Sequence, residues 1–414
     1  MKRVLIPAAL VAALTATPAA AIDTVLVRGA TVHTLGEAGV LEHTDVLMRG
    51  RRIAEVGRNL AIPEGAAVFE AAGRIVTPGL FDAHSYLGLL EIESEKPTVD
   101  NQAPSPLFSA ALDMADAVNP RSTLIPVNRI EGLTRAMAAP SAADGGRLIH
   151  GLGAVIHLGG VDDYLTRPRA AMFASFGEAG ATLAGGSRAA ALLNLREAFD
   201  EARGRLRQGR IPQLSHLDAA ALQPLLAGQI PLVLNVHRAS DIEAALRLAK
   251  AYGLRLVIHG GAEAWLVADQ LAAAQVPVIF DPTRNLPERF EALNLRIDAA
   301  ARLHRAGVAM AFTEAESHNA RNLRQLAGIA VAHGLPHAAA LTAITRTPAE
   351  IYGLGGELGQ IRPGYRGDLV IWDGDPLEVT SYPVQVFIDG EAVAPHSRQT
   401  QLRDRYLQRL RSSP

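Results

Sequence analysis

Thr77-Pro78-Gly79-Leu80-Phe81-Asp82-Ala83-His84-Ser85-Tyr86-Leu87-Gly88 stands where one kind of sequence gives way to another. Before it, from Thr24 to about Thr77, short alternating stretches such as 24–30, 46–50 and 52–57 are separated by turn residues and read as antiparallel β-structure. After it, apolar strand-like runs alternate with Ala/Leu/Arg-rich segments of helical period, the pattern of a parallel sheet. The runs are Leu80–His84, Gly132–Ala138, Gly153–Leu158, Met172–Phe176, Pro231–His237, Leu254–His259, Val276–Asp281 and Val308–Thr313. Eight of them predict a closed barrel. Helices are expected at 188–208, 241–251, 319–333 and 336–345, and loops at the barrel mouth over 141–150 and 159–170.

The β style returns at Gly367–Pro376 and Val384–Gly390. The expected architecture is therefore α/β: a TIM-like (β/α)8 barrel over 78–352, with a small composite β-sandwich formed by segments 22–77 and 353–394. The basic tail, 395–414, spaces Leu402, Tyr406 and Leu410 on one helix face among five arginines, and predicts a terminal helix packed on its own domain.

Composition narrows the chemistry. The chain has 414 residues, 49% hydrophobic and 20% charged, a globular balance that excludes disorder, collagen and coiled coil. A formal charge of -2 provides no basic field for nucleic acid, so a small molecule is the expected partner. Without cysteine there are no disulfides, thiolate zinc sites, iron–sulfur clusters or cysteine nucleophile. Any metal must use His, Asp, Glu or a modified Lys, and the only lysines are Lys2, Lys96 and Lys250. Gly185-Gly186-Ser187-Arg188-Ala189 follows no apolar run, so Ser187 reads as a helix N-cap, not a nucleophile. No dinucleotide fingerprint or phosphate loop occurs.

The first 21 residues read as a secretory signal: Met1-Lys2-Arg3 is positive, Val4–Leu14 apolar, and Ala19-Ala20-Ala21 a small-residue cleavage site. The apolar run is about half the roughly 20 residues a membrane span needs. Cleavage near Ala21 and a periplasmic or secreted destination are expected. No later segment is long and apolar enough to span a membrane.

In a parallel barrel, functional side chains come from the C-terminal ends of strands. His84, His237 and His259 sit at such ends, where imidazole binds metals or shuttles protons. The eighth run ends in Thr313-Glu314-Ala315-Glu316-Ser317-His318, adding Glu314, Glu316 and His318 as candidate acid–base groups. His157, at the end of the third run, is a further member.

These residues resemble a known family. Pro78-Gly79-Leu80-Phe81-Asp82-Ala83-His84-Ser85-Tyr86 is similar to the first-strand signature of the amidohydrolase superfamily, Pro-Gly-x-x-Asp-x-His-x-His. Gly359–Trp372 resembles that family's return strand, and Thr347–Leu354 the helix before it. The resemblance implies a metal-assisted barrel hydrolase of C–N bonds, on the imidazolonepropionase-like and prolidase-like branch.

Against that pattern, Tyr86 replaces the second histidine, and neither Lys96 nor Lys250 is placed to bridge two metals. Asn235 occupies the first position of a His-x-His-Arg segment that continues into His237 and Arg238. Val257–Ala264 resembles a Glu-His-Gly-x-Glu-Ala text whose register puts Gly260 at the ligand position, with Glu263 following. Glu314 and Ala315 stand where Thr-Asp normally ends the eighth strand. Two readings result. In one, an exported hydrolase of small or cyclic amides holds at most one Zn2+ on His84, His237 and His259, with Tyr86, Asn235, Arg238 and Glu263 binding substrate and Glu314, Glu316 or His318 moving protons. In the other, a catalytically inactive relative without metal keeps the pocket for a ligand or partner. Oligomeric state, including a homo-oligomer, stays open.

Overall fold

The computed structural model describes residues 24–105, 107–205, 213–314 and 316–412. The expected signal segment and the end of the predicted 188–208 helix lie outside the described residues, as does Ala315.

Chain-end strands build one mixed sheet. Strands β1 (Thr24–His33), β2 (Val40–Arg49), β3 (Arg52–Gly57), β4 (Ala67–Glu70) and β5 (Ile75–Pro78) come from the N-terminal side. The barrel follows as β6 (Leu80–Ser85), β7 (Leu133–Ala138), β8 (Ile149–His157), β9 (Leu165–Ser175), β10 (Leu232–Val236), β11 (Leu256–Gly260), β12 (Val278–Phe280) and β13 (Met310–Phe312). The chain then returns as β14 (Leu369–Trp372), β15 (Pro383–Ile388) and β16 (Glu391–Ala392). In the mixed sheet the order is β16-β15-β14-β5-β1-β2-β3, with β4 beside β1, so the C-terminal return pairs with β5 and the two chain ends form one unit.

The β5–β6 junction explains Pro78-Gly79. A Cβ at residue 79 would meet the Thr134 side chain at 2.2 Å, so only glycine lets the chain pass from the sandwich into the barrel against β7. Beside it, the fully buried Trp372 of β14 donates its indole N–H to Thr77 Oγ1 at 2.9 Å. Arg135 of β7, 1% exposed, ties the units electrostatically. Its Nε and Nη2 reach Asp368 at 2.6 and 3.0 Å, and Nη2 reaches Asp389 at 2.6 Å. Burial disfavours the guanidinium charge, but the two carboxylates outweigh it and hold Arg135 protonated.

Two expectations about the barrel need correction. The third strand is reversed: β8 pairs antiparallel with both β7 and β9, while the other barrel pairs are parallel. Residues 158–164 leave no room for a helical crossover, which parallel neighbours require. Accordingly the predicted mouth loop 159–170 is partly β9 and partly a hairpin at the sandwich end, where Asp163 pairs with Arg51 of the mixed sheet at 2.6 Å. His157 is carried to that end too, its Nε2 2.7 Å from the Asp163 carbonyl. The barrel is also not hydrogen-bonded all round, because the ladder runs from β13 to β6 without a strand pair closing it. A side-chain staple closes the seam: the Thr313 hydroxyl lies 2.7 Å from Asp82 Oδ1 and 2.5 Å from the His84 carbonyl oxygen.

The tail forms the expected helix and meets its own domain near its start, where Arg321 Nη1 donates to Gln399 Oε1 at 3.2 Å, but without a buried face. Helix Arg398–Ser412 buries none of its residues, and Tyr406, Leu407 and Leu410 are exposed. Its apolar positions are too few, among too many arginines, to form a packing face. Among the described residues, no helix is long and apolar enough to cross a membrane.

Candidate functional site

The C-terminal ends of β6, β9, β10, β11 and β12 open into a mouth cavity with two lobes of ≈ 200 and ≈ 370 Å³. His84, Tyr86, Asn235, His259 and Arg289 line both. The first lobe adds His237, Gly260 and the rim residues Asp281, Arg284, Glu288 and Arg296; the second adds Glu93, Asn101, Ser141, His150 and Phe173.

Strand register sets the floor. Asn235 of β10 is paired with His259 of β11 and Ser175 of β9, so these side chains stand side by side. Asn235 Nδ2 is 3.3 Å from His259 Nδ1; an amide nitrogen only donates, so Nδ1 is the unprotonated atom of that imidazole. His84 stacks on His259 with ring centroids 4.0 Å apart and planes 16° apart. Tyr86 and Phe173 meet His84 edge-on at 5.5 and 5.6 Å, completing an aromatic enclosure. The chain turns at Gly260 with φ +88, and a Cβ there would meet His237 Cε1 at 2.3 Å. The His237 ring thus fills the space a side chain at 260 would enter.

Burial keeps the floor uncharged. It pushes His84, His150 and His237 down to about 4 and His259 well below its ordinary value, with neighbouring imidazoles and rim arginines adding to the effect on His150, His237 and His259. Burial likewise pushes the Tyr86 phenol up to about 12. Asp82, beneath His84, is raised by burial to about 8. The hydrogen-bond count agrees: the Thr313 hydroxyl has one proton for two acceptors, Asp82 Oδ1 and the His84 carbonyl, and a protonated Asp82 supplies the second.

The remaining candidates stand elsewhere. Glu263 is a brace, accepting from Ala239 N at 2.8 Å at the start of helix Ala239–Tyr252 and from Asn294 Nδ2 at 2.6 Å. Arg238 pairs with Asp241 at 2.9 Å. Glu314 accepts from the Glu316 backbone N–H at 3.3 Å, turning toward its own loop. Glu316 and His318 are exposed, 3.4 Å apart, and do not line the cavity. Ser187 takes the N-cap position of helix Arg188–Ala202, its hydroxyl making no capping bond.

Sequence reasoning missed His150 and Arg289. Reversal of β8 places its second residue, His150, at the mouth and its C-terminal residue, His157, at the far end. The signal was the helix-free interval between the third and fourth runs. Arg289 lies on the loop after β12, with no periodicity to single it out.

The comparisons place this geometry. Residues 236–394 match a family model described as the amidohydrolase family. An amidohydrolase structure from Thermotoga maritima superposes with TM-score 0.80 at 27% identity, covering 89% of this chain and 99% of that one. The chain shares the fold of that amidohydrolase over most of its length. A prolidase complexed with N-methylphosphonate-L-proline shares the fold at TM-score 0.55 and 19% identity, over 89% of this chain and 99% of that one. Amidohydrolase tasK of Hapsidospora irregularis is 26% identical over 391 residues, 84% of this chain and 39% of that protein. A dihydroorotase of Geobacter sulfurreducens is 35% identical over 109 residues, 26% of this chain and 24% of that protein. The chain thus spans well under half the length of these curated relatives.

The amidohydrolase pattern implies a metal, and the floor does not fit one. Imidazole lone pairs lie in the ring plane, so two stacked rings direct theirs along nearly parallel planes. No single ion then lies at about 2.0–2.1 Å from a nitrogen of each, the distance a zinc–imidazole bond requires. The His237 ring fills the space beside Gly260, and Asn235 and Tyr86 present groups that ligate poorly. Among the described residues, no three His, Asp or Glu side chains are grouped to hold a metal ion.

Proposed function

We propose that this chain is a non-catalytic amidohydrolase relative whose barrel mouth binds a small molecule. One observation carries the reading: the stacking of His84 on His259, which sets two of the candidate metal-binding histidines face to face instead of around an ion. Asn235 and Tyr86, which line the same cavity, support it, since an amide and a phenol recognise polar ligands and ligate metal poorly. The rival reading, a one-metal hydrolase of small or cyclic amides, draws on the gathering of His84, His237 and His259 in one cavity. It requires the stack to open. Assaying the zinc-supplemented protein on a set of acyl amino acids and cyclic amides discriminates them: the non-catalytic reading expects no turnover above a His84→Ala control, and metal-dependent turnover lost in that control overturns it.

The same proposal includes export. The charge, apolar and small-residue order of residues 1–21 supports cleavage near Ala21, so mass spectrometry of the native protein should find Ile22 at the N-terminus. An intact Met1 form in the cytosol contradicts this.

A further inference from the structure

We infer that helix Arg398–Ser412 is an amphipathic anchor that lays the folded chain on an anionic lipid surface. This surface is separate from the mouth cavity, and the ligand-binding reading has no part in the assignment.

The helix is fixed at its start and uncovered along its length. The buried Ser397 caps it: Ser397 Oγ accepts from the Thr400 N–H at 3.2 Å, and Thr400 Oγ1 accepts from the Ser397 N–H at 2.8 Å. One turn on, Gln399 is held by Arg321, in the segment that follows β13. From there no residue is buried, and Tyr406 and Leu410 are 56% and 73% exposed.

Helical spacing sorts the side chains into strips. Leu402, Tyr406 and Leu410 recur every fourth residue, and Leu407 lies beside Leu410, so these four share one side. Arg398, Arg405 and Arg409 run along one border of that side, next to Leu402; Arg403 and Arg411 run along the other, next to Leu407. Gln401, Asp404, Gln408 and Ser412 take the opposite side. Arg409 lies over the Tyr406 ring, 5.6 Å from its centroid, which keeps that charge at the edge of the apolar strip. Five arginines thus face one carboxylate, Asp404, which Arg403 occupies at 2.8 Å. Among the described residues, Arg398, Arg405 and Arg411 have no ion pair.

That charge pattern decides the occupant. A second copy of the helix would set arginine rows against arginine rows. An anionic bilayer meets both features at once: lipid phosphates take the guanidinium forks, while the leucines and the tyrosine enter the acyl boundary between them. The apolar positions, too sparse to pack on protein, suffice there because the arginine stems lie along the same boundary and the charges stay at the headgroups.

The test is co-sedimentation of the purified full chain with vesicles of equal parts phosphatidylglycerol and phosphatidylcholine, against vesicles of phosphatidylcholine alone. The chain should partition about tenfold or more strongly onto the anionic vesicles at low salt, and the preference should shrink as salt is raised. Replacing three arginines together, Arg398→Gln, Arg405→Gln and Arg409→Gln, should reduce anionic partition about tenfold or more. Leu407→Ser with Leu410→Ser should reduce it several-fold with the charge unchanged, and the emission of Tyr406→Trp should move to the blue on anionic vesicles. Any contribution of residues 1–21 is common to parent and variants. The helix buries no residue, so every variant should melt like the parent. Equal partition onto both vesicles, anionic binding that survives in both the arginine and the leucine variants, or an unshifted Tyr406→Trp emission overturns the inference. A dimer in sedimentation velocity that Leu407→Ser with Leu410→Ser dissociates also overturns it, because the face then belongs to a second copy.

Discussion

The imidazoles of His84 and His259 lie stacked, 4.0 Å between centroids, at the ends of strands that are not sheet neighbours. Packed face to face within a buried floor, both stay neutral, because a second positive charge in contact with the first has no carboxylate to offset it. The staple that holds His84 in place is the Thr313 hydroxyl on its carbonyl and on Asp82.

That staple gives a pH signature. Asp82, raised by burial to about 8, keeps its proton in the folded chain, whereas an unfolded aspartate loses it near 3.9. The folded state binds more protons between those values, so stability falls as pH rises through that window. His84, His150 and His237, lowered to about 4, act the other way: their contribution is present above about 6.5 and lost as pH falls toward 4. Between about 6.5 and 8 the Asp82 effect stands clear of theirs. Urea denaturation should show stability declining there by up to about 1.4 kcal/mol per pH unit. Asp82→Asn, whose amide also donates to Thr313, should remove that decline; parallel slopes for both proteins would contradict the neutral carboxyl.

Most of the barrel and its pairing with the chain ends were legible in the sequence. Strand-length apolar runs alternating with helical periods, and β-rich text at both ends, are signals of burial, and burial decides those elements. Strand direction was not legible for β8, because its residues read alike in either sense. The clue lay in a connection too short for a crossover. Three of the floor's histidines followed from strand ends, but the stacking of His84 on His259 did not, since ring orientation depends on Phe173 and Asn235 arriving from other strands and on Tyr86 in the turn after β6. Glu263 and Arg238 matched a motif by position, yet packing uses them to brace a helix start. The apolar spacing of the tail suggested packing, but its apolar positions are too few among the arginines to bury a face.

Gly260 should resist substitution for two reasons, a positive φ and the His237 ring. Gly260→Ala is expected to lose about 1–3 kcal/mol, and adding His237→Ala should restore part of it by relieving the overlap. Thermal and urea melts of the four proteins measure the coupling; strict additivity would contradict the contact.

Arg135 should prove the most sensitive charge in the chain. Arg135→Ala leaves Asp368 buried without a counter-charge and Asp389 with Arg366 alone at 3.3 Å, and stranding a buried charge typically costs about 3–5 kcal/mol. Arg135→Lys keeps the charge but not the fork that spans both carboxylates, so an intermediate loss is expected. An alanine variant as stable as the parent in urea would contradict the electrostatic tie between sandwich and barrel.

The central claim is that the floor is a neutral ligand pocket and not a metal centre. Elemental analysis of the purified full chain, before and after incubation with zinc, with His84→Ala alongside, tests it most directly. The account predicts no stoichiometric metal and no binding at micromolar zinc in either protein. One tightly held equivalent per chain, lost in His84→Ala, would contradict it.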